Sequence, residues 1–243
     1  MSVKRAIIMT AAALSLVVGV GTAGTLTANA ATPACGQNCI DIFSQAFPGS
    51  YFNVPGQAHP QVGSAVNLAP GSATNPGEDF VMDSEAPVND YFQAGIVGAA
   101  LNARYGNPKG RYGNLDMYEF RFAPFGVESL LCVGVATTPF YGTPVSLQPC
   151  GISARTLWVP VPVQTSAGSS YMFVNGAETF MFNSPFVLTT MSPGSDLLLW
   201  PQTSFFNRTV PSTSYQSWGA LAGVLPSTTP VVLNVLPMPS TPG

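Results

Sequence analysis

"LCVGVATTPFYGTPVSLQPCGISARTLWVPV", residues 131–161, decides how the chain is read. It holds an apolar strand, a Gly-containing turn, a second strand ending in Leu-Gln-Pro, a polar loop and a third strand opening on an aromatic. Two other stretches keep the same order: "YFNVPGQAHPQVGSAVNLAPGSATNPGEDFVM" (51–82) and "PFVLTTMSPGSDLLLWPQTSFFNRTVPSTSYQSWGAL" (185–221). Their parallel pieces are "VGSAVNLAP", "YGTPVSLQP" and "PGSDLLLWP", followed by "EDF", "TLW" and "QSW". One copy of such a unit cannot bury its own apolar face. Three copies therefore predict an all-β, threefold architecture. The unequal spacing of the closing aromatics Phe80, Trp158 and Trp218 places an insertion at about 83–116, where "NARYGNPKGRYGNLD" has the composition of an exposed loop.

Outside the repeats, "NCIDIFSQAF" (38–47) puts Ile40, Phe43 and Phe47 on one helical face, with Ile42 and Ala46 beside it, before Pro48-Gly49 stops the run. The expected order is an N-terminal helical segment at 31–49, the repeat domain at 50–225, and a Pro/Thr-rich tail at 226–243.

Residues 1–30 carry a cationic start (Lys4, Arg5), an apolar stretch from Ala6 to Val20 and a small-x-small site at Ala28-Asn29-Ala30. This is the pattern of a secretory signal peptide, with processing expected before Ala31. About fifteen apolar residues are too few for the ~20 of a spanning helix, so no membrane association is expected after cleavage. The chain has 8 Lys/Arg against 11 Asp/Glu. Two of the eight, Lys4 and Arg5, would leave with the signal, and no basic patch remains, which argues against nucleic acid as a partner.

Export favours disulfides, and Cys35, Cys39, Cys132 and Cys150 allow three pairings. Cys35–Cys39 with Cys132–Cys150 is the favoured set, because i and i+4 on a helix lie about 6 Å apart, within reach of a disulfide. A zinc site would need more soft ligands than this chain supplies, since the single histidine, His59, is far from any Cys pair; no metal and no cofactor are expected.

The repeats resemble the ricin-type β-trefoil, a lectin domain whose copies carry a Cys pair, a Leu-x-Pro or Leu-Trp-Pro strand end and a Q-x-W triplet. Cys132 and Cys150 fall on that family's intra-repeat cysteines, and Gln216-Ser217-Trp218 is a complete Q-x-W. With its "ACGQNC" segment (34–39), the whole chain also resembles a type of secreted actinobacterial protein. The resemblance implies sugar sites built from an Asp on the first strand, a polar residue and an aromatic at the end of the second, and an Asn before the Q-x-W.

Against that pattern the first copy offers Asn53 and Asn67 but has Ala69 for the aromatic and Gly77 for the Asn. The second has Gly134, Ser146, Gln148 and Arg155. The third keeps Trp200 and Gln216, with Thr189 or Thr190 for the Asp, Leu198 for the polar residue and Tyr215 for the Asn. Trp158 and Trp218 are expected in the core. The candidate ligand-binding residues are thus Trp200, Gln216, Tyr215, Asn53 and Asn67. Arg104, Tyr105, Arg111 and Tyr112 of the insertion are read as an exposed loop, with a binding loop as the alternative.

No hydrolase or phosphate-binding motif occurs. His59 lies in a turn, and Glu78-Asp79 and Asp83-x-Glu85 are read as turn and surface charges, so no catalytic residues are expected. The expected molecule is an extracellular, monomeric, non-catalytic carbohydrate-binding protein with degenerate sugar sites, whose partner is a polysaccharide or glycan. The alternative is a structural or protein-interaction β-trefoil, an inhibitor of a secreted enzyme included, that has lost sugar binding.

Overall fold

Runs of alternating apolar residues punctuated by Gly and Pro favour short strands over helices, and the computed structural model shows this. It describes residues 39–72, 74–102, 112–165, 168–177, 185–201 and 216–221. Among them, the strands are β1 Asp41–Ser44, β2 Ser50–Asn53, β3 Asn67–Pro70, β4 Phe80–Pro87, β5 Asp116–Phe122, β6 Leu131–Gly134 and β7 Thr143–Pro144. They continue as β8 Ser146–Pro149, β9 Leu157–Thr165, β10 Gly168–Asn175, β11 Phe186–Thr189, β12 Leu198–Pro201 and β13 Trp218–Leu221.

The strands fall into three groups: β1 to β4, β5 to β9, and β10 to β13. The first and last strand of each group close a six-stranded ring. In it β1 pairs β13, β13 pairs β10, β10 pairs β9, β9 pairs β5 and β5 pairs β4. An Ile40–Phe80 bridge joins β4 back to β1. The inner strands of each group form hairpins, β2 with β3, β6 with β8 and β11 with β12. The fold is a β-trefoil.

The hairpins meet in a closed cycle of backbone hydrogen bonds. Val66 N–H donates to the Val145 carbonyl (3.3 Å), Val145 N–H to Leu197 (2.8 Å), and Leu197 N–H to Val66 (2.9 Å). Each hairpin enters this triangle through a glycine in the left-handed region, Gly63, Gly142 and Gly194, a conformation that costs other residues.

Register gives the equivalences inside the core. Phe80, Trp158 and Trp218 stand opposite Ile40, Tyr118 and Tyr171, and all three rings are fully buried. The two indoles each donate to a carbonyl of their own repeat: Trp158 to Val133 (2.8 Å) and Trp218 to Leu188 (3.2 Å). The first repeat has the smaller Phe80 there but places Phe52 where the others have Val133 and Leu188, and Phe52 packs edge-on against Trp218 with centroids 5.0 Å apart. Volume lost at one position is regained at its neighbour.

Two expectations are corrected. The helix expected within 38–47 is not formed: Asp41–Ser44 is a strand held between β13 and β2. Ile40 and Ile42 point into the core, the period-2 pattern of a strand, in a short apolar run whose Ile40, Phe43 and Phe47 also keep a helical spacing. The insertion, too, is more than an exposed loop. β4 runs on to Pro87, the helices α1 Val88–Gln93 and α2 Ala99–Asn102 follow, and Val88, Tyr91, Val97, Leu101 and Tyr112 pack on the outer face of the barrel. Their partners Leu157, Val159, Val161, Met172 and Val174 alternate along β9 and β10 with inward-facing Trp158 and Phe173, so these strands are covered on both faces. Tyr112 is therefore core, while Arg104, Tyr105 and Arg111 lie outside the described residues, as do the segment expected to be a signal peptide and the C-terminal tail.

Candidate functional site

Equivalent positions on the three hairpins can be compared directly, because Asn53 pairs with Asn67, Gly134 with Ser146 and Thr189 with Leu198. In the first repeat the polar groups form a network. Asn53 Nδ2 donates to Asn67 Oδ1 (2.9 Å), and Asn75 Nδ2 donates to Asn53 Oδ1 (3.0 Å) and to Glu78 Oε1 (2.6 Å). Ser72 N–H donates to the other Glu78 oxygen at 3.1 Å. Burial raises the Glu78 carboxyl above its ordinary range, an effect that these two hydrogen bonds oppose.

Sequence reasoning missed Asn75. It occupies the space that Gly77 leaves: a Cβ at Gly77 would lie 2.5 Å from Asn53 Oδ1 and 3.0 Å from Asn75 Oδ1. A Gly beside a nearby Asn was the available signal. The reading of Glu78 and Asp79 as surface charges is also corrected, since both are buried. Glu78 closes the 3-10 turn Pro76–Glu78 and Asp79 caps it.

The third repeat carries the aromatic component. Trp200 is half-buried and meets Tyr141 edge-on, with centroids 5.7 Å apart and planes at 62°. Tyr141 in turn meets Phe140 at 5.3 Å. Phe140 and Tyr141 remain 52% and 37% exposed, so the three rings form an aromatic surface contributed by two repeats. Gln216, by contrast, is buried and donates through Nε2 to Thr189 Oγ1 (3.1 Å), which itself bonds the Val187 carbonyl. These two side chains are turned to each other beneath the surface that Trp200 occupies. Tyr215 lies outside the described residues. In the second repeat Gln148 bonds Ser146 (2.8 Å), and Arg155 caps the Ala136 carbonyl (3.0 Å).

Polar and aromatic groups are thus divided between repeats: an amide and carboxylate network in the first, and edge-on aromatics contributed by the second and third.

The remaining chemistry is structural. Cys132 and Cys150 form a disulfide, Cys39 is also disulfide-bonded, and its expected partner Cys35 lies outside the described residues. Glu119 lies near the Cys132–Cys150 pair, but oxidised sulfurs are not thiolate ligands. The buried Glu119 carboxylate instead accepts hydrogen bonds from Thr156 Oγ1 (2.6 Å) and from the Gly151 and Ile152 N–H groups (both 3.1 Å). His59 is exposed in a turn. Asp83 pairs with Arg121 at 2.7 Å. Among the described residues no helix is long and apolar enough to cross a membrane.

No protein-family profile and no curated protein sequence matches the chain. Solved structures do. A designed threefold-symmetric protein, ThreeFoil, superposes on 76% of this chain and 98% of its own at 10% identity, with a TM-score of 0.48. The β-trefoil lectin of the Vibrio vulnificus hemolysin/cytolysin, solved with N-acetyl-D-lactosamine bound, covers 78% of this chain and 97% of its own at 11% identity and a TM-score of 0.45. The Polyporus squamosus lectin, solved with a sialylated epitope, gives 10% identity, 76% coverage of this chain and a TM-score of 0.47, with this chain spanning about half of its length (49%). The strand pairing of the chain itself carries the fold assignment.

Proposed function

We propose that this is a secreted, non-catalytic carbohydrate-binding protein whose primary contact is the aromatic surface of Trp200, Tyr141 and Phe140. The carrying observation is the edge-on pair of Trp200 and Tyr141, which holds a half-buried indole beside exposed rings. Flat aromatic faces match the apolar C–H face of a pyranose. The degenerate positions around it support weak, stacking-dominated binding, because Thr189 and Gln216 are committed to each other and Leu198 offers no polar group.

The test is retention of the purified protein on insoluble polysaccharides and on a glycan array, beside Trp200→Ala. Binding lost by a variant that melts like the wild type supports the reading; binding unchanged in Trp200→Ala removes it.

A second reading has its own observation. Phe125 and Val127 are 70% exposed and Leu130 85% exposed, all on the β5–β6 loop, and Phe125 sits in the left-handed region, unusual for a bulky residue. Such a loop suits a protein-interaction module. Capture of a protein partner that is abolished by Phe125→Ser, with no retention on any glycan, would favour it.

A further inference from the structure

The three hairpins contact one another, and one contact places a carboxylate from the third repeat next to the polar network of the first. Asn67 and Asp196 form an isolated antiparallel bridge. The flanking bonds, Leu68 N–H to the Ser195 carbonyl (3.0 Å) and Leu197 N–H to the Val66 carbonyl (2.9 Å), make it a non-hydrogen-bonded pair, the kind in which facing side chains approach most closely. Facing residues share one side of a sheet. Asn53, Asn67 and Asp196 therefore form a row across three strands.

The trefoil supplies its own controls, because two further rows are related to this one. They read Gly134–Ser146–Ala65 and Thr189–Leu198–Pro144. The Asn53 row alone has hydrogen-bonding side chains at all three positions.

The row is also ordered from inside outward. Asn53 is buried and held on both sides, by Asn75 and by Asn67. Its bond to Asn67 Oδ1 fixes the Asn67 amide, so Nδ2 is the atom turned away from Asn53. Asn67 is half-buried and Asp196 exposed. Their neighbours are small: Ala69 is the next residue on the same face of β3, and Gly194, whose added Cβ would meet nothing within 4 Å, lies two residues before Asp196.

We propose that Asn67 and Asp196 form a clamp for a vicinal diol of a pyranose, assembled between the first and third repeats. It rests on the carbohydrate-binding reading above and gives that reading a polar subsite distinct from Trp200. The chemistry is paired: Asn67 Nδ2–H donates to one hydroxyl oxygen, and the Asp196 carboxylate accepts from one or both hydroxyls. Asp196 supplies the negative acceptor that Asn53, an amide, does not. The ligand class is a sugar with two adjacent free equatorial or axial–equatorial hydroxyls, and a 3-deoxy analogue, in which no two free hydroxyls remain adjacent, is discriminated against.

The experiment measures binding of methyl β-D-galactopyranoside, methyl α-D-mannopyranoside and methyl β-D-glucopyranoside, each beside its 3-deoxy analogue, by saturation-transfer NMR and by competition against polysaccharide retention. Wild type, Asp196→Asn, Asn67→Ala and Trp200→Ala are compared, with thermal melts alongside. Loss of a hydrogen bond to a charged group predicts about a tenfold or greater weakening in Asp196→Asn, with the melt unchanged and residual retention kept through Trp200. Asn67→Ala weakens binding in the same direction, and the 3-deoxy sugars compete poorly. Retention that depends on Trp200 but is untouched by both Asp196→Asn and Asn67→Ala overturns the clamp and leaves the carbohydrate reading standing. No binding of any glycan by the wild type overturns both.

Discussion

Asp41 and Asp79 face each other across the seam where β1 meets β4, one residue from the Ile40–Phe80 bridge, and each is 1% exposed. Like charges directly opposite on paired strands destabilise a sheet. Burial, then Asp79, then Glu78 push the Asp41 carboxyl from 3.8 up to about 7. The buried Tyr51 hydroxyl is the other titratable group coupled to it. Protonated Asp41 is thus favoured by the fold. Its contribution is greatest below about pH 4 and is lost as pH rises toward 7, by up to about 4 kcal/mol. Urea midpoints at pH 4.5 and 8 measure this: Asp41→Asn is expected to gain stability over wild type at pH 8 and to match it at pH 4.5.

The indole donors give a second expectation. Trp218→Phe leaves the buried Leu188 carbonyl without its donor, and Trp158→Phe does the same to Val133; each is expected to cost about 1–3 kcal/mol in chemical denaturation. The converse change, Phe80→Trp, overpacks the first repeat because Phe52 already fills that volume, at about 1–3 kcal/mol. Phe52→Leu added to it should recover part of the loss, a coupling that a double-mutant cycle reads directly.

Tyr112 reports on the insertion. As a buried member of the outer cluster, its replacement by Ala is expected to cost about 3 kcal/mol or more and to lower the melting temperature. An exposed binding loop would instead tolerate the change, so a melt unaltered in Tyr112→Ala would contradict the packing described.

The Cys132–Cys150 bond closes a loop with a separation of 18 residues, a length for which a cross-link is worth about 3 kcal/mol. The Cys132→Ser/Cys150→Ser variant should melt lower than the wild type, and reductant should shift the wild type in the same direction.

The repeat frame was readable in the sequence because its markers are local. The Gly turns and the Leu-x-Pro strand ends sit at a fixed offset, the closing aromatics follow in the same order, and strand register places Phe80, Trp158 and Trp218 as equivalents. β1 was misread because Ile40, Phe43 and Phe47 keep a helical spacing while Ile40 and Ile42 keep a strand spacing, and only pairing with β13 and β2 decides between them. Asn75 and Asp196 were not readable as site residues. Asn75 lies out of the expected position and reaches in through space left by Gly77, while Asp196 belongs to another repeat and meets Asn67 only once the hairpins are assembled.

The cycle linking Val66, Val145 and Leu197 has no first member and no last. Any fragment with one or two repeats strands a donor at one end and an acceptor at the other, so the cap is completed all at once or not at all. The same cycle restricts substitution. Proline is accepted at 144, one residue before a member, yet is barred from 66, 145 and 197, where the N–H is already committed.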